Sequence, residues 1–561
     1  MRKLSFEKFL NISAIGLLCA FGLLLMIISS RNVMFCDEKS FQSNIVHFIT
    51  NKTIVPVYTN YPSFFSYLTG LPTTIFYWIK FSFFPHPVPD ILADPFYQTF
   101  FYEYHIYHWL FLARFLVIAI VLASLIFFYR FSRRNYSPLI AFSSLLLIVL
   151  DPFGFYQSYA TLALPDAVVA SMIFAAIMIL FSAVQKESCL LLYFSSFIVG
   201  LAASAKINGL LGIIPLVIVF TAFHNKFKDS FIKTFFYIPW FCFTGFIVGT
   251  PLIVIDRFLY VNNFSYETAL LTGQNNLFEA SLDPWWAFKN FFEGNPVFST
   301  LIIILSIHTL FHPKKWRLAL LLSLVITFLT LSMLSKHSSL YFFAIYPFVF
   351  FLFNDIIFDL VRFHHKKIIF AVISVFIGIT AFSSFSQTLN RLSRPDNLQI
   401  ARDWILHEIP PGSHFLLDWG YYPEILIEQI GILNWRETGD QKLIQAVDHF
   451  KTDKNIYKTH DLFAINFAIE NFFSDGSYLI TSSSCFRRYL ETHPKQSDLF
   501  RAHKKSNECY EFLKKFYQSL LNEQTPFKLI KRFNQWQGAD VYIFKYVDES
   551  KPGGSGMSNG S

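Results

Sequence analysis

The amino-acid sequence predicts a polytopic α-helical membrane protein that ends in a soluble α/β domain. Long apolar runs recur between Leu10 and Phe385, 53% of the 561 residues are hydrophobic, and the mean hydropathy is +0.42. A run of about 20 apolar residues is long enough to cross the hydrocarbon core of a bilayer. After Ser386 the chain becomes polar and mixed. This composition excludes an ordinary soluble enzyme and divides the chain into two parts.

About eleven apolar runs are predicted to span the membrane. They cover residues 10–29, 108–128, 138–150, 165–183, 190–205, 210–223, 235–255, 297–311, 318–334, 340–358 and 368–385. The strongly basic connectors all fall on one side of this arrangement, as the positive-inside rule expects of cytoplasmic loops. Arg2, Lys3 and Lys8 place the N-terminus on the same side. Because no small-residue cleavage site follows the first run, we expect a retained helix and not a signal peptide.

The domain boundaries follow from the same pattern. Residues 1–387 form the predicted membrane domain, with two long loops at 31–107 and 256–294 on the extracytoplasmic side. Short apolar stretches in the first loop predict helices that lie at the membrane interface. Residues 388–548 form the predicted extracytoplasmic α/β domain. The tail 549–561 contains the string GGSGMSNGS, which is typical of an artificial linker and is left out of the fold prediction.

Helical and strand-like stretches alternate in the C-terminal part. The predicted helices cover residues 400–407 and 422–431, and the predicted strands cover 414–419, 477–481, 527–533 and 541–546. No catalytic motif is present among them. Acceptor binding, a cover over the membrane site and plain structural support all stay open as roles for this domain.

An acid pair, Asp37-Glu38, follows the first predicted span. Ionisable residues at membrane depth are costly to place and usually serve a function. Adjacent residues do not face the same way on a helix. We therefore expect one acid to act in catalysis and the other to orient it or to hydrogen-bond. The alternative is that both carboxylates face water at a helix end.

Asp166 follows Pro165 at the start of the fourth predicted span. One interpretation is an acid that complements the positive end of a helix, since proline is common in a first helical turn. The other is a second carboxylate that holds the acceptor or, together with Asp37, a divalent cation such as Mg²⁺ or Mn²⁺. Hard cations prefer oxygen ligands, but two carboxylates alone do not define a site. Both interpretations stay open.

Several short motifs occur in a fixed order along residues 1–385. They are the acid pair, Tyr61-Pro62, Leu164-Pro165-Asp166, Gly200-Leu201-Ala202 before Lys206, Gly249-Thr250-Pro251 and Tyr346-Pro347. This order resembles the GT-C membrane glycosyltransferases, in particular the protein O-mannosyltransferase and aminoarabinose-transferase-like branch. Residues 401–405 and the Pro-Gly that follows also resemble the C-terminal domain of bacterial members. One departure is Lys336-His337-Ser338-Ser339, where many relatives have an Arg-Tyr pair.

The resemblance implies an enzyme that takes a sugar from a polyprenyl-phosphate-linked donor and transfers it to a glycan, lipid or protein acceptor outside the cytoplasm. A bacterial inner membrane and inversion at the sugar are part of this expectation. The resemblance favours Asp37 as the base for the acceptor hydroxyl, with Glu38 and Asp166 as further catalytic carboxylates. A base must reach the proton to within hydrogen-bond distance. Tyr61 and Pro62 are the expected acceptor-binding residues.

Positive side chains on the same predicted side are candidates to neutralise the donor phosphate. They are Lys206, Lys336, His337 and, more weakly, Arg257. Positive groups aimed at developing negative charge are often a large catalytic contribution. The alternative for each is that a cation at a helix end contacts lipid headgroups. Which of them meets the phosphate stays open.

Two other classes of protein compete with the enzyme. A transporter or flippase of lipid-linked glycans is less favoured, because no internal repeat is detectable and charged residues are not found deep in several predicted spans. A non-catalytic scaffold of envelope assembly would leave the acids without a purpose. Binding of nucleic acid is not indicated, because the residues that give the net charge of +8 fall between apolar runs.

Overall fold

A computed structural model gives the protein as a bundle of apolar helices followed by a five-stranded sheet with two helices. It describes residues 6–31, 63–83, 107–150, 160–227, 229–255, 285–294, 296–333, 345–363, 373–383, 397–410, 413–417, 458–461, 477–483, 506–534 and 540–547, together with 38, 41, 44–45, 47–48, 55–56, 257, 261, 342, 386, 486 and 490. Asp37, Tyr61-Pro62, Lys336-His337 and the predicted helix 422–431 lie outside these residues.

In the apolar part, most of the helices overlap predicted runs, whereas Phe64–Phe83 and Trp286–Gly294 lie in the two predicted loops. The helices are α1 Phe6–Arg31, α2 Phe64–Phe83, α3 Tyr107–Asn135, α4 Pro138–Leu150, α5 Pro165–Lys186, α6 Cys189–Ala205, α7 Ile213–Phe223, α8 Phe231–Gly249, α9 Leu252–Ile255, α10 Trp286–Gly294, α11 Pro296–Phe311, α12 Lys315–Met333, α13 Tyr346–Phe363 and α14 Ile373–Ser383. Two short 3₁₀ helices, Ile207–Gly212 and His224–Lys226, flank α7.

Within the described residues, six helical segments are long and apolar enough to cross a membrane. They are Phe6–Ser30, Leu110–Asn135, Pro165–Lys186, Ile207–Lys226, Phe231–Gly249 and Lys315–Met333. Shorter apolar helices occupy other predicted runs, among them α4 and α6. The chain is therefore a polytopic helical membrane protein. The count of eleven spans and the orientation in the membrane stay predictions.

The first two long helices, α1 and α3, run antiparallel and define the two ends of the bundle. Arg133 near the end of α3 donates to Glu7 at the start of α1, over 2.8 Å. Arg114 near the start of α3 donates to the carbonyl of Ser29 near the end of α1, also over 2.8 Å. We call the end with Ser29 and Arg114 the site end, and the end with Glu7 and Arg133 the far end.

A charged network ties α12 to α13 at the far end. Arg317 is only 1% exposed and pairs with Asp355 at 2.5 Å and with Asp359, both on α13. Lys314 also reaches Asp359 at 2.5 Å. A buried guanidinium is costly unless it is paired and hydrogen-bonded. The sequence places Arg317 in an ordinary basic connector, whereas the fold buries it against Asp355 inside the predicted span 340–358 and Asp359 directly after that span.

The backbones of α6 and α8 touch because glycine stands at both contact points. A Cβ atom on Gly200 would lie 1.9 Å from the carbonyl oxygen of Cys242, and one on Gly245 would lie 2.1 Å from that of Phe197. Small residues allow such close approach between membrane helices. The contact fixes the end of α6 beside the end of α8, where a Cβ on Gly249 would meet the Ser204 hydroxyl at 1.9 Å.

The seventh predicted run, residues 235–255, is not one helix. Helix α8 starts earlier, at Phe231, and stops at Gly249, and the single turn α9 follows after Thr250-Pro251. Thr250 leaves the helical region with φ −130° and ψ 67°. The residue before a proline is disfavoured in the helical conformation, which explains the break.

The C-terminal strands are β1 His414–Leu417, β2 Lys458–Asp461, β3 Ser477–Ser482, β4 Phe527–Phe533 and β5 Val541–Tyr546, and the helices are α15 Asn397–Glu408 and α16 Ser506–Leu521. The strand order is β2-β1-β3-β5-β4. Strand β1 pairs parallel with β2 and β3, whereas β5 pairs antiparallel with β3 and β4. Helix α15 covers one face, where Ile405 packs with Ile480 and Ile543. On the other face, the ring of Phe486 lies 6.4 Å from Tyr517 of α16.

We expect Gly200→Ala to destabilise the bundle by about 1–3 kcal/mol, because an added methyl group in a closed contact forces the two backbones apart. Thermal unfolding of the purified protein in detergent measures the effect. The matched control is Gly16→Ala on α1, where a Cβ has nothing within 4 Å. That variant should unfold at or slightly above the wild-type temperature, since alanine favours helices. Equal behaviour of the two variants would contradict the close contact.

Candidate active site

The buried ion pair between Glu38 and Arg114 lies at the site end. Arg114 donates from Nε to Oε1 of Glu38 over 2.9 Å and from Nη2 to Oε2 over 2.8 Å. The glutamate is fully buried and the arginine is 4% exposed. This bidentate geometry is the strong form of a charge-assisted hydrogen bond. The same guanidinium holds the carbonyl of Ser29, so it connects the end of α1 to the acid pair that follows.

Glu38 also fixes the chain segment that leads into α5. The backbone N–H of Ala163 donates to Oε1 of Glu38 over 2.6 Å. Leu164 is extended with φ −120° and ψ 149°, and Pro165 takes the first helical position, where its missing N–H costs nothing. Because Asp166 comes next, the glutamate sets where the first turn of α5 starts. Three separate stretches of sequence are thereby joined at one point.

Asp166 forms a second ion pair with Lys206. The Nζ atom of Lys206 lies 2.8 Å from Oδ1 and 3.0 Å from Oδ2 of Asp166. The aspartate side chain is 2% exposed and the lysine side chain 13%. Lys206 comes directly after α6 in an extended conformation, with φ −158° and ψ 135°. The end of α6 therefore presents its one cation to the first turn of α5.

The turn after Lys206 contains Asn208 and packs tightly against α6. The N–H of Gly209 donates to the carbonyl of Lys206 over 2.8 Å. A Cβ on Gly209 would lie 2.4 Å from the carbonyl carbon of Ala202, so the turn folds back against α6. Asn208 precedes Gly209 in this turn and is 7% exposed.

Two polar side chains at this place are buried with unused hydrogen-bonding groups. In the part of the chain that the structure describes, the amide nitrogen and oxygen of Asn208 have no hydrogen-bond partner. The hydroxyl of Thr250 also has none there. Thr250 is fully buried and follows Gly249, which contacts Ser204 two residues before Lys206. Buried polar groups in native proteins are almost always hydrogen-bonded, so such exceptions require an explanation. A bound polar molecule would supply the missing partners.

The site combines opposite charges in a region with little access to water. Among the described residues, Glu38 pairs with Arg114 and Asp166 pairs with Lys206, so a cation stands beside each carboxylate. Electrostatic interactions are stronger away from water, so a charged ligand beside either ion pair would interact strongly with its charges. The arrangement can hold and orient an anion or a proton-accepting group.

Asp166, one of the two expected ligands of a divalent cation, has a lysine beside it in the structure. Among the residues that the structure describes, no group of three or more His, Cys, Asp or Glu side chains could hold a metal ion. Asp166 is already contacted at both oxygens by the Lys206 ammonium, which would repel a cation placed there. Asp37, the other expected ligand, lies outside the described residues.

Of the predicted site residues that the structure describes, Glu38, Asp166 and Lys206 lie at the same end of the bundle. Arg257 is exposed, on the chain segment after α9. Arg114 and Asn208 were missed by the sequence analysis. A signal for Arg114 was present, since an ionisable residue inside an apolar run is a functional candidate by default. Asn208 gave no such signal, because its burial depends on the turn at Gly209.

Comparison with known proteins gives likenesses of structure alone. No protein-family model and no curated protein matches the chain. The chain is similar to ArnT from Cupriavidus metallidurans bound to undecaprenyl phosphate, with a TM-score of 0.49 and 11% identity, over 94% of this chain and 97% of that one. ArnT in the apo state gives 0.49 and 10%, over 95% and 98%.

A third likeness is to the Archaeoglobus fulgidus oligosaccharyltransferase in complex with Zn and sulfate. Its TM-score is 0.44 and its identity 11%, over 86% of this chain and 69% of that one. These neighbours are GT-C glycosyltransferases, the superfamily that the order of motifs resembles. Values of this size describe a likeness in the course of the chain, and the roles of individual residues are inferred from the contacts of the site.

We expect Arg114→Gln to destabilise the protein by about 3–5 kcal/mol, because it leaves the Glu38 carboxylate buried without its cation. The double variant Arg114→Gln with Glu38→Gln should recover part of this loss. Unfolding of the purified protein in mixed micelles measures both. The matched control is Arg133→Gln, whose partner Glu7 is 55% exposed and whose ion pair should contribute about 0–1 kcal/mol. A loss no larger than the control's would contradict the buried pair.

Asn208→Leu should leave stability unchanged or raise it, since the leucine removes two buried polar atoms that have no partner. The same exchange at Asn354 is the matched control. Its amide donates to the Ser132 hydroxyl over 3.0 Å, so Asn354→Leu should cost about 1–3 kcal/mol. Thermal unfolding of both variants makes the comparison. A comparable loss at both positions would mean that the Asn208 amide has a structural partner.

Proposed function

We propose that the protein is an integral-membrane glycosyltransferase that moves a sugar from a polyprenyl-phosphate-linked donor to an acceptor on the extracytoplasmic side. The observation that carries this proposal is that Glu38, Asp166 and Lys206 lie at one buried end of the bundle although they are far apart in the sequence. The same three residues belong to the motifs whose order resembles GT-C glycosyltransferases. Buried unpartnered polar groups beside them support a site for a polar ligand.

Glu38 is proposed as a positioning residue and Asp37 as the base. The two oxygens of Glu38 accept hydrogen bonds from Nε and Nη2 of Arg114 and from the N–H of Ala163. A carboxylate whose two oxygens are both held by these donors fixes the position of the chain around it. Asp37 precedes Glu38 directly in the sequence, and adjacent residues do not face the same way on a helix. The two carboxylates are therefore assigned different roles.

The proposed reaction is a single displacement at the anomeric carbon of the donor sugar. The Asp37 carboxylate takes the proton of the acceptor hydroxyl, and the acceptor oxygen forms a bond to the anomeric carbon. The bond from that carbon to the phosphate oxygen breaks, and its electron pair leaves with the polyprenyl phosphate. Attack from the face opposite the phosphate inverts the configuration.

Lys206 is proposed to stabilise the leaving phosphate, with Asp166 as the residue that orients it. An ammonium group has three donors, and in this arrangement two face the oxygens of Asp166. Holding the cation in place before the reaction means that no reorganisation is needed when negative charge develops. Lys336, His337 and Arg257 are proposed as further phosphate contacts, and Tyr61 and Pro62 as acceptor contacts.

The proposed orientation places the site end outside the cytoplasm of a bacterial inner membrane. The far end carries Arg133, Arg134, Lys314 and Lys315, which is the bias expected of the cytoplasmic side. A donor anchored by its lipid can then stay in the bilayer while a glycan, lipid or protein acceptor arrives at the outer face. Asp37→Asn, compared with wild type on a panel of polyprenyl-phosphate sugars, tests the base.

We expect Lys206→Met to lower kcat by about 10²–10³-fold, the size of effect seen when one preorganised charge-stabilising donor is removed. Lys206→Arg should recover part of the rate because it keeps the charge. The matched control is Lys233→Met, which removes a half-exposed lysine from its ion pair with Asp229 at 3.2 Å, away from the site. Release of polyprenyl phosphate by purified protein in nanodiscs measures the rate.

The outcomes separate the competing functions. Turnover in wild type that is lost in both Asp37→Asn and Lys206→Met supports the transferase and both roles. Turnover that persists in Asp37→Asn removes that residue as the base but keeps the enzyme class. An absence of turnover with every donor in well-folded wild type, combined with movement of a lipid-linked glycan across the bilayer, would establish the transporter instead.

A further inference from the structure

A groove lies in the C-terminal sheet region, between helix α15 and the edge strand β4. It encloses about 480 Å³ and is lined by Asp403, Trp404 and His407 from the helix and by Lys531, Arg532 and Asn534 from the strand and its end. Small-molecule sites in proteins usually enclose about 300–1,000 Å³. The proposed transfer reaction uses none of these residues.

The aromatic side of the groove is anchored in the core. The ring of Trp404 lies 6.0 Å from that of Phe533 in an edge-to-face arrangement, and Phe533 is 7% exposed. Trp404 itself is only half-buried, so part of its ring stays accessible. An aromatic ring held in this way offers a rigid apolar surface with little conformational entropy to lose on binding. Pyranose rings have apolar faces that suit such a surface.

Basic residues accumulate on the same face of the sheet. Lys528 of β4 stands directly opposite Lys545 of β5 in the antiparallel ladder. Lys531 pairs with Ile543, which packs against α15, and thus shares this face. Of these lysines, Lys531 lines the groove itself, and its exposed ammonium group can contact an anionic group of a bound ligand.

Polar groups of both kinds complete the lining. The Asp403 carboxylate and the Asn534 amide are exposed in the groove and can accept or donate hydrogen bonds to hydroxyl groups. Arg532 contributes less free charge, because Asp540 pairs with it at 2.9 Å.

We propose that this groove binds an acidic sugar, with the sugar ring against Trp404 and its carboxylate or phosphate on Lys531. The volume of the groove and the anchored ring of Trp404 fit a sugar ring, and the ammonium group of Lys531 fits its anionic substituent. The site is separate from the ion pair of Asp166 and Lys206. It gives the C-terminal region a binding role of its own that stands whether or not the transfer reaction is as proposed.

Isothermal titration of the full-length protein in uncharged detergent tests the proposal with four probes: trigalacturonate, glucose 1-phosphate, neutral maltotriose and inorganic phosphate. We expect at least one acidic sugar to bind ten-fold or more tightly than maltotriose and than inorganic phosphate, and trigalacturonate against glucose 1-phosphate shows which acid is preferred. Lys531→Glu and Trp404→Ala should each weaken that binding at least ten-fold. Lys515→Glu is the matched control, since this exposed lysine lies on α16 at the opposite face of the sheet.

Three results would overturn the proposal. The first is equal binding of maltotriose and both acidic sugars. The second is unchanged affinity in Lys531→Glu, a surface exchange that leaves the core intact and so does not depend on how Trp404→Ala folds. The third is that the protein binds vesicles of phosphatidylglycerol, loses this binding in Lys531→Glu, and binds no acidic sugar. That result would identify the groove as a membrane contact.

Discussion

The hydrogen bonds that Glu38 accepts from Arg114 and Ala163 are the constraint on which the site depends. They join the end of α1, the start of α3 and the segment that leads into α5. Each partner alone would be an expensive group to bury, and together they are satisfied. Because Asp166 follows Ala163 after only two residues, the position of the second ion pair is set by the first. Removing the link would leave every side chain of the site present but the first turn of α5 without its anchor.

The positions of many helices could be predicted from the sequence, because long hydrophobic runs indicate apolar helices. The helices lie where the apolar runs are, and the predicted strands 527–533 and 541–546 coincide with β4 and β5. Strand β2 was not predicted, because its four residues, Lys-Thr-His-Asp, show no alternation of apolar and polar side chains. The strand is recognised only by its parallel pairing with β1. The break at Thr250-Pro251 was hidden inside an apolar run that hydropathy alone treats as continuous.

The site was only partly accessible to such reasoning, because sequence names the charges but not their partners. Asp166 and Lys206 were both candidates, yet their pairing depends on α6 packing beside α5 and changes what each can do. An aspartate held by an ammonium is a poor metal ligand, and a lysine held by an aspartate is an oriented cation. Arg114 shows the reverse case, a residue whose placement in an apolar run already indicated a buried partner.

The ion pairs of Arg317 and Lys314 at the far end have a consequence for how the chain enters the membrane. Their acidic partners Asp355 and Asp359 come later in the sequence, on a helix that is synthesised after α12. In the proposed orientation, with the far end in the cytoplasm, both cations are still without these acidic partners while α12 inserts and serve as retention signals. After α13 has inserted, the same two cations form the ion pairs that hold α12 and α13 together. In that orientation the same two cations act twice, first in setting the topology during insertion and then in pairing α12 with α13.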